Sequence, residues 1–309
     1  MSTSTDVTFL LLGPLAVRRG PQLLPIGSPR QRAVLAALLL HAGQVVPVDE
    51  LIDIVWGPRS PRTARNALGV HIAQLRRTLT GEDGGDCGVI IVWHAPGYLL
   101  RVAPEQVDLL CFERLLAQAR EARATGELGR AARDLRRALA LWRGHALAGV
   151  PSEVLQAVEA PRLEEDHANA LEECIEIEIE LGRHFTAVAE LEALVARWPL
   201  RERLRGLLML ALYRSGRQAE ALAVYRDARR VLVEELGIEP GPELRAIERG
   251  ILSADPALEG TPNTSSAPPG HQPSRCPMAG GPEWCPRSCL PTWRRSPAAR
   301  QTFRNWTGC

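Results

Sequence analysis

The periodicity of apolar residues changes along the chain, and this change limits the possible folds. Up to about residue 105, short apolar runs alternate with helical patterns, whereas residues 108–252 follow almost throughout the 3.6-residue period of amphipathic helices. Residues 254–309 hold ten of the 24 prolines and four of the seven cysteines and show no period. We therefore expect three parts, 1–105, 106–253 and 254–309, and we expect the last to be a disordered tail.

A repeat of 34 residues is detectable within 106–253. Gly182-Arg183-His184 recurs as Gly216-Arg217-Gln218, and Ala187 matches Ala221 at the same offset. Paired helices with this period are typical of tetratricopeptide repeats, which stack into an α-solenoid. A generic helical bundle is the alternative, because Gly-Arg after a helix is common. We predict an all-α, tetratricopeptide-like domain.

The first part predicts a different architecture, mainly helical with a little β-structure. Three short apolar runs at 7–12, 15–18 and 22–26 indicate strands. Ser28 is a plausible N-cap for a first helix that Gly43 ends, and further helices are expected at 49–55 and 61–79. Residues 89–102, with a turn at 94–97, indicate a hairpin. This order of elements predicts a winged helix, a relative of the helix-turn-helix.

The helix predicted at 61–79 has two chemically distinct faces. Five residues fall on one side at helical spacing and predict a core face: Ala64, Leu68, Ile72, Leu75 and Leu79. The opposite side and its margins form the candidate DNA-binding set: Thr63, Arg65, Asn66, Val70, His71, Gln74, Arg76 and Arg77. A polar face with solvated arginines is the alternative.

The chemistry of the outward side chains fits a major groove. The amides of Asn66 and Gln74 can pair bidentately with adenine, and Val70 can contact a thymine methyl. The arginines can reach backbone phosphates. His94, at the predicted wing tip, can enter a minor groove or contact phosphate, although an ordinary exposed histidine is the alternative.

Composition excludes several other classes of protein. All 37 basic residues are arginine, so a Walker A loop and a Schiff-base lysine are ruled out. The three parts carry net charges of +2, −4 and +3, a weakly basic head before an acidic body. The sequence has no apolar run of membrane-spanning length and no basic leader at its start, so we expect a cytoplasmic protein that does not contact membranes.

The remaining candidate sites favour structural roles. In the tail, His271, Cys276, Cys285, Cys289 and Cys309 lack the paired spacing of zinc knuckles, so we expect no metal and no cofactor. The acidic residues between 164 and 180 are interpreted as a solvated face paired with nearby arginines such as Arg162 and Arg183. With no catalytic constellation, we expect no enzyme.

Several motifs in a fixed order resemble a known family. The head contains RQRAVLAALLL at 30–40, LIDIVWG at 51–57, VHIAQLRRTL at 70–79 and APGYLL at 95–100, which resemble an OmpR-type winged helix. The second part contains ELGIEPGPEL at 235–244, which looks like the closing motif of a bacterial transcriptional activation domain. Together, over about residues 7–252, they resemble the small two-domain form of the Streptomyces antibiotic regulatory proteins.

This resemblance implies an activator of a secondary-metabolite (antibiotic) gene cluster that binds direct repeats of double-stranded DNA near a promoter and contacts RNA polymerase holoenzyme. Val70, Gln74, Arg76 and Arg77 match the recognition-helix positions of OmpR-type proteins. Gln74 stands where those helices often carry arginine. The loop expected to contact polymerase comprises Trp56, Gly57, Pro58, Arg59 and Ser60. The resemblance also implies a dimer or tandem copies on DNA, associated with the nucleoid.

An interaction adaptor is the alternative function. In that case the tetratricopeptide-like part would bind a protein partner, and the winged helix would contact protein rather than DNA. Salt-dependent affinity for DNA distinguishes the two hypotheses, since an adaptor has no such affinity.

Overall fold

A small antiparallel sheet precedes the helices. In the computed structural model, residues 7–80 and 89–259 are described, and all of them belong to one compact unit. The strands are β1 (Val7–Leu10), β2 (Ala16–Arg19) and β3 (Gln22–Leu24), paired in the order β1-β2-β3. Alternate residues of β1 are fully buried, as expected for a sheet with one face on the core.

Three helices follow the sheet: α1 (Pro29–Leu40), α2 (Val48–Trp56) and α3 (Ala64–Thr80). Ser28 caps α1 as predicted, because its hydroxyl accepts a hydrogen bond from the Gln31 backbone while Gln31 accepts from the Ser28 backbone. The third helix begins three residues later than the predicted position 61. The Ala64 amide instead donates to the carbonyl of Pro61 at 2.9 Å and closes a turn before the helix.

A three-stranded sheet completes the predicted winged helix. The hairpin strands are β5 (Ile90–His94) and β6 (Gly97–Arg101), and the short strand β4 (Val45–Pro47) pairs with the other edge of β6. A Cβ atom at Gly97 would lie 1.8 Å from the carbonyl oxygen of Val46. Only glycine therefore allows β4 and β6 to approach at this point.

The rest of the described chain is helical. Its helices are α4 (Asp108–Ala124), α5 (Leu128–Leu139), α6 (Ala160–Glu180), α7 (His184–Arg197), α8 (Glu202–Arg214), α9 (Gln218–Leu236), α10 (Pro242–Leu252) and α11 (Pro256–Glu259). The pairs α4/α5, α7/α8 and α8/α9 make extensive contacts. This is the predicted tetratricopeptide-like architecture.

Equivalent turns explain the sequence repeat. Gly182 and Gly216 follow α6 and α8 with φ angles of 79° and 74°, a left-handed conformation that favours glycine. In each case the next amide, of Arg183 or Arg217, donates to a carbonyl five residues earlier at 2.9 Å. Gly126 forms the same turn between α4 and α5. The 34-residue offset therefore marks the same corner of successive helical hairpins.

The hydrophobic core does not divide where the sequence pattern changes. One cluster of buried residues, whose members lie between Val7 and Ile177, includes residues of both sheets, of α1–α3 and of α4–α6. A second cluster, from Ile175 to Ile251, lies among α6–α10. The head and the first helical hairpin thus share a core, and α6 contributes to both clusters.

The Asp108 carboxylate joins the head to the helices. This side chain is buried at the start of α4 and accepts hydrogen bonds from the Leu11 and Leu12 amides at 2.7 and 3.0 Å. From the other side, the Arg143 amide donates to the Leu12 carbonyl at 2.8 Å. The chain after β1 is therefore fixed on both sides by the helical part.

The interpretation of the acidic residues on α6 is partly wrong. Arg162 pairs with Asp166 at the surface as expected, but Glu172 and Glu178 are buried. They pair with arginines of other elements: Glu172 with Arg201 at 2.8 Å and Glu178 with Arg136 at 2.6 Å. Because α6 has helices on both sides, these two buried carboxylates bind arginines of neighbouring elements rather than of their own helix.

The described residues were also expected to contain no membrane-spanning helix and no metal site. In the residues that the structure describes, no helix is long and apolar enough to cross a bilayer. The same residues include no cluster of three or more His, Cys, Asp or Glu side chains arranged to hold a metal ion. The disordered tail was predicted from residue 254, but residues 256–259 form α11, and the Leu258 carbonyl accepts a hydrogen bond from Arg214 of α8 at 2.8 Å. The remainder of the predicted tail, with the cysteines considered for zinc, lies outside the described residues.

Candidate nucleic-acid interface

Helix α3 has the two faces that its sequence predicts. Its buried residues are the five predicted for the core face, each at most 3% exposed: Ala64, Leu68, Ile72, Leu75 and Leu79. The exposed candidate residues of this segment are Thr63, Arg65, Asn66, Val70, Arg76 and Arg77. Val70 is 55% exposed. The outward face therefore offers amide, methyl and guanidinium groups together.

The arginines on α3 differ in how firmly they are held. Arg65 forms an ion pair of 2.7 Å with Asp49 on α2, and both side chains are largely exposed. The Nε of Arg76 donates to the Ile91 carbonyl on β5 at 2.7 Å. Arg77 is exposed and, within the described residues, makes no hydrogen bond or ion pair. Arg76 thus links α3 to the hairpin, whereas the described part of the chain provides no partner for Arg77.

His71 does not belong to the exposed face. It is half-buried beside the indole of Trp56, with ring centroids 6.2 Å apart, and its Nδ1 has no partner among the described residues. Burial lowers the pKa of His71 below its ordinary value. The ring is therefore neutral near pH 7, and its position favours packing over a phosphate contact.

Gln74 makes a contact that the sequence did not indicate. Its side chain is half-buried, and its Oε1 accepts a hydrogen bond from the Nε2 of Gln31 in α1. Gln31 belongs to the capping box of α1 and is 9% exposed. The two residues are 43 positions apart, so no local periodicity could have paired them.

The hairpin places His94 at the end of β5, next to the turn, where it is exposed. The preceding Trp93 is 55% exposed and contacts Tyr98 edge to face at 5.2 Å between ring centroids. Sequence reasoning did not single out Trp93. The exposure of the Trp93 side chain could not be predicted from the sequence, because a tryptophan in a strand is more often buried.

The loop expected to contact polymerase is a short 3₁₀ turn. It runs through Gly57–Arg59 between α2 and α3, and Pro58, Arg59 and Ser60 are exposed. Trp56 is half-buried beneath the guanidinium of Arg30, 5.6 Å from the ring centroid. The indole thereby anchors the loop to α1, and the tip remains accessible.

A residue of the helical part, Ser152, also holds the end of α2 that leads into this loop. The hydroxyl of Ser152 is buried and donates to the carbonyl of Ile54, near the end of α2, at 2.7 Å. The same hydroxyl accepts from the Leu155 amide at 3.2 Å. The position of the loop therefore depends on the helical part as well as on the head.

The charges around α3 favour an anionic partner. Five arginines in the turn, the helix and the preceding loop are exposed: Arg59, Arg62, Arg65, Arg76 and Arg77. Among the described residues only one of them has an acidic partner, through the Arg65–Asp49 ion pair. Guanidinium groups bind phosphate oxygens in a bidentate manner, so this surface can position a polyanion.

Known families of transcriptional regulators match both parts of the chain. Two families match: "Transcriptional regulatory protein, C terminal" at residues 26–100 and "Bacterial transcriptional activator domain" at residues 107–252. Regulatory protein DnrI of Streptomyces peucetius is 40% identical over 81% of this chain and 93% of its own length.

Regulatory protein AfsR of Streptomyces coelicolor is 47% identical over 82% of this chain, and AfsR of Streptomyces griseus is 43% identical over 89%. The chain spans only 25% and 28% of the length of these two relatives. A solved structure, Mycobacterium tuberculosis EmbR in complex with a low-affinity phosphopeptide, matches with a TM-score of 0.78 and 36% identity, over 82% of this chain and 68% of that one.

The two family matches fall on the winged helix and on the helical part described above. DnrI is matched over nearly its whole length. The chain therefore belongs to the Streptomyces antibiotic regulatory protein family.

Proposed function

We propose that the chain is a sequence-specific DNA-binding transcriptional activator of a secondary-metabolite gene cluster. Helix α3 would enter the major groove, and the β5–β6 hairpin would lie over the adjacent minor groove or backbone. The observation that carries the proposal is the exposed face of α3, which contains Asn66, Val70 and Arg77 and on which Arg77 has no partner among the described residues. The family names of the matched regions support the same conclusion.

We assign a separate role in DNA binding to each candidate residue of α3 and the hairpin. Arg77 and the free end of Arg76 would bind phosphates, while Asn66, Val70 and Gln74 would contact base edges. Thr63 and Arg65 lie at the start of the helix and His94 at the end of the hairpin, where we place further backbone contacts. His71 is proposed to support the helix rather than to touch DNA.

Recruitment of RNA polymerase holoenzyme is proposed for the loop at 56–60. Its exposed tip, Pro58, Arg59 and Ser60, is held in place by Trp56 and by the Ser152 hydrogen bond. Two or more copies on direct repeats would raise occupancy, because the head carries only a small net positive charge. The domain limits 1–105 and 106–253 remain part of this proposal.

Binding of the full chain to duplex DNA, measured by fluorescence anisotropy over a range of salt concentrations, tests the proposal. Neutralising about 4–6 phosphates predicts a log–log slope of about −4 to −5. Duplexes with two direct repeats should bind more tightly than those with one. A folded chain without measurable affinity for any duplex would contradict the proposal and favour the interaction adaptor.

A further inference from the structure

The side-chain amide of Gln74 is the one candidate base contact that is also held from within the protein. Its partner, Gln31, has a fixed orientation because it belongs to the capping box of α1. The backbone N–H of Ser28 lies 2.9 Å from the Gln31 amide. Since an N–H can only donate, the atom facing it must be the Gln31 oxygen.

The orientation of the Gln31 side-chain amide determines the orientation of the Gln74 side-chain amide. With its oxygen toward Ser28, Gln31 presents its NH₂ group to Gln74. Two NH₂ groups cannot hydrogen-bond to each other, so the Gln74 atom in this contact is its oxygen. A backbone donor at the start of α1 therefore determines the orientation of a side chain on α3.

The hydrogen bond with Gln31 places the Gln74 oxygen on the inner side of the amide. The NH₂ group is bonded to the same carbon, about 120° away from the oxygen, so it points away from Gln31.

We propose that Gln31 is a positioning residue that orients the Gln74 amide with its NH₂ group toward the DNA, so that the protein selects a base with an accepting carbonyl oxygen at the position that Gln74 contacts. This inference rests on the proposed function. In the major groove, guanine and thymine present acceptor oxygens at O6 and O4, whereas adenine and cytosine present amino donors at N6 and N4 at the corresponding positions. The N7 acceptor is present on both purines and does not distinguish them. A bidentate contact to adenine, expected for a free glutamine, would require the oxygen that Gln31 engages.

The variant Gln31→Glu tests this directly. Glutamate also occupies this position in capping boxes, and its carboxylate can still accept from the Ser28 amide. It has no donor for Gln74, however. The Gln74 amide should then rotate, donate its NH₂ group to the carboxylate and present its oxygen to the groove. The added negative charge lowers affinity for all sequences alike, so the readout is the base preference.

The experiment is a selection from a pool of random duplexes with the full chain, followed by sequencing. Gln74→Ala identifies the contacted position as the one where preference is lost. At that position, on the contacted strand, the wild type should favour guanine or thymine over adenine and cytosine by roughly 5- to 10-fold. Gln31→Glu should favour adenine or cytosine instead. Gln31→Leu, which holds neither orientation, should reduce the discrimination to less than about twofold.

The two possible failures are distinguishable. If Gln31→Glu and Gln31→Leu enrich a motif with the wild-type preference at the Gln74 position, Gln31 does not orient the amide and this inference is wrong. If the wild-type chain enriches no motif at all, the proposed function itself is wrong. Adding the Gln74→Ala change to Gln31→Glu should leave no preference at this position, and a retained preference would also overturn the inference.

Discussion

At the scale of single residues, the contacts separate the candidate site into two classes. Val70 and Arg77 are exposed and unengaged within the described part of the chain, whereas His71, Gln74 and Arg76 are each held by a protein group. The sequence alone assigned all five to the same surface. It could place residues around the helix, but it could not show which side chains have partners from distant elements.

Arg77 provides the first prediction. We expect Arg77→Ala to weaken binding to all duplexes by a similar factor and to reduce the magnitude of the salt slope by about 1, because one phosphate contact is lost. Fluorescence anisotropy at several salt concentrations measures both. The matched control is Arg226→Ala, which removes an exposed arginine of α9 and should change neither. Equal effects of the two variants would contradict the role of Arg77.

His167 gives a prediction of pH dependence. Its ring stacks on Trp142 at 4.1 Å, and burial lowers its pKa to about 4 from an ordinary value of 6.5. Nearby Glu164 opposes this shift and Arg197 adds to it. Between these two pKa values the unfolded chain binds more protons at this site, so the stabilising contribution is complete above about pH 6.5 and is lost as the pH falls toward 4.

We therefore expect His167→Phe, which keeps the stacked ring, to lose less stability between pH 7 and pH 5 than the wild type. The difference should be of the order of 1 kcal/mol, since the ring is only half-buried and is partly screened by solvent. Urea unfolding at the two pH values measures it. Identical losses in both proteins would show that His167 does not titrate in this window.

At the scale of elements, α3 and its turns were the most predictable parts. The 3.6-residue period gave the buried face of α3 correctly, and the glycines at 126, 182 and 216 mark turns that local backbone geometry requires. The start of α3 was misplaced by three residues, because a turn at Pro61 competes with the helix. The partners of Glu172 and Glu178 were missed, since they lie on helices distant in sequence.

The segment after β1 provides a prediction at this scale. Asp108→Ala leaves the buried Leu11 and Leu12 amides without their acceptor. An unsatisfied buried donor costs about 1–3 kcal/mol, so we expect a decrease of about 2–4 kcal/mol in the free energy of unfolding. Urea unfolding followed by circular dichroism measures it. Asp53→Ala, at an exposed position on α2, is the control and should have little effect.

A loss below about 0.5 kcal/mol in Asp108→Ala would mean that these amides find other partners. The salt slope for DNA binding should stay unchanged in this variant, because Asp108 is buried where the head meets α4 and is not on the α3 face. A changed slope would show that the contact also orients the DNA-binding surface.

At the scale of the whole molecule, the division into two hydrophobic clusters differs from the division seen in the sequence. The first cluster joins the winged helix to α4–α6, and the second lies among α6–α10. The periodicity of apolar residues indicates which elements are helical, but it does not indicate which elements share a core. Solenoid repeats contact mainly their neighbours, so distant repeats can open separately.

We accordingly expect amides in α8–α10 to exchange with solvent through an opening that leaves β1, α1 and α4 protected. Hydrogen exchange followed by mass spectrometry on the full chain measures the protection of each element. Exchange of all elements at one common free energy would contradict two separable clusters and would indicate a single cooperative unit.

We expect α3 to bind specific DNA sequences near the promoter that this protein controls. A footprint of the full chain on the DNA flanking its own gene, at low and moderate salt, measures this. We expect protection over short direct repeats just upstream of a promoter, and we expect the protection to weaken as salt rises. Absence of protection with a folded chain at low salt would contradict the account and would place the function in the helical part instead.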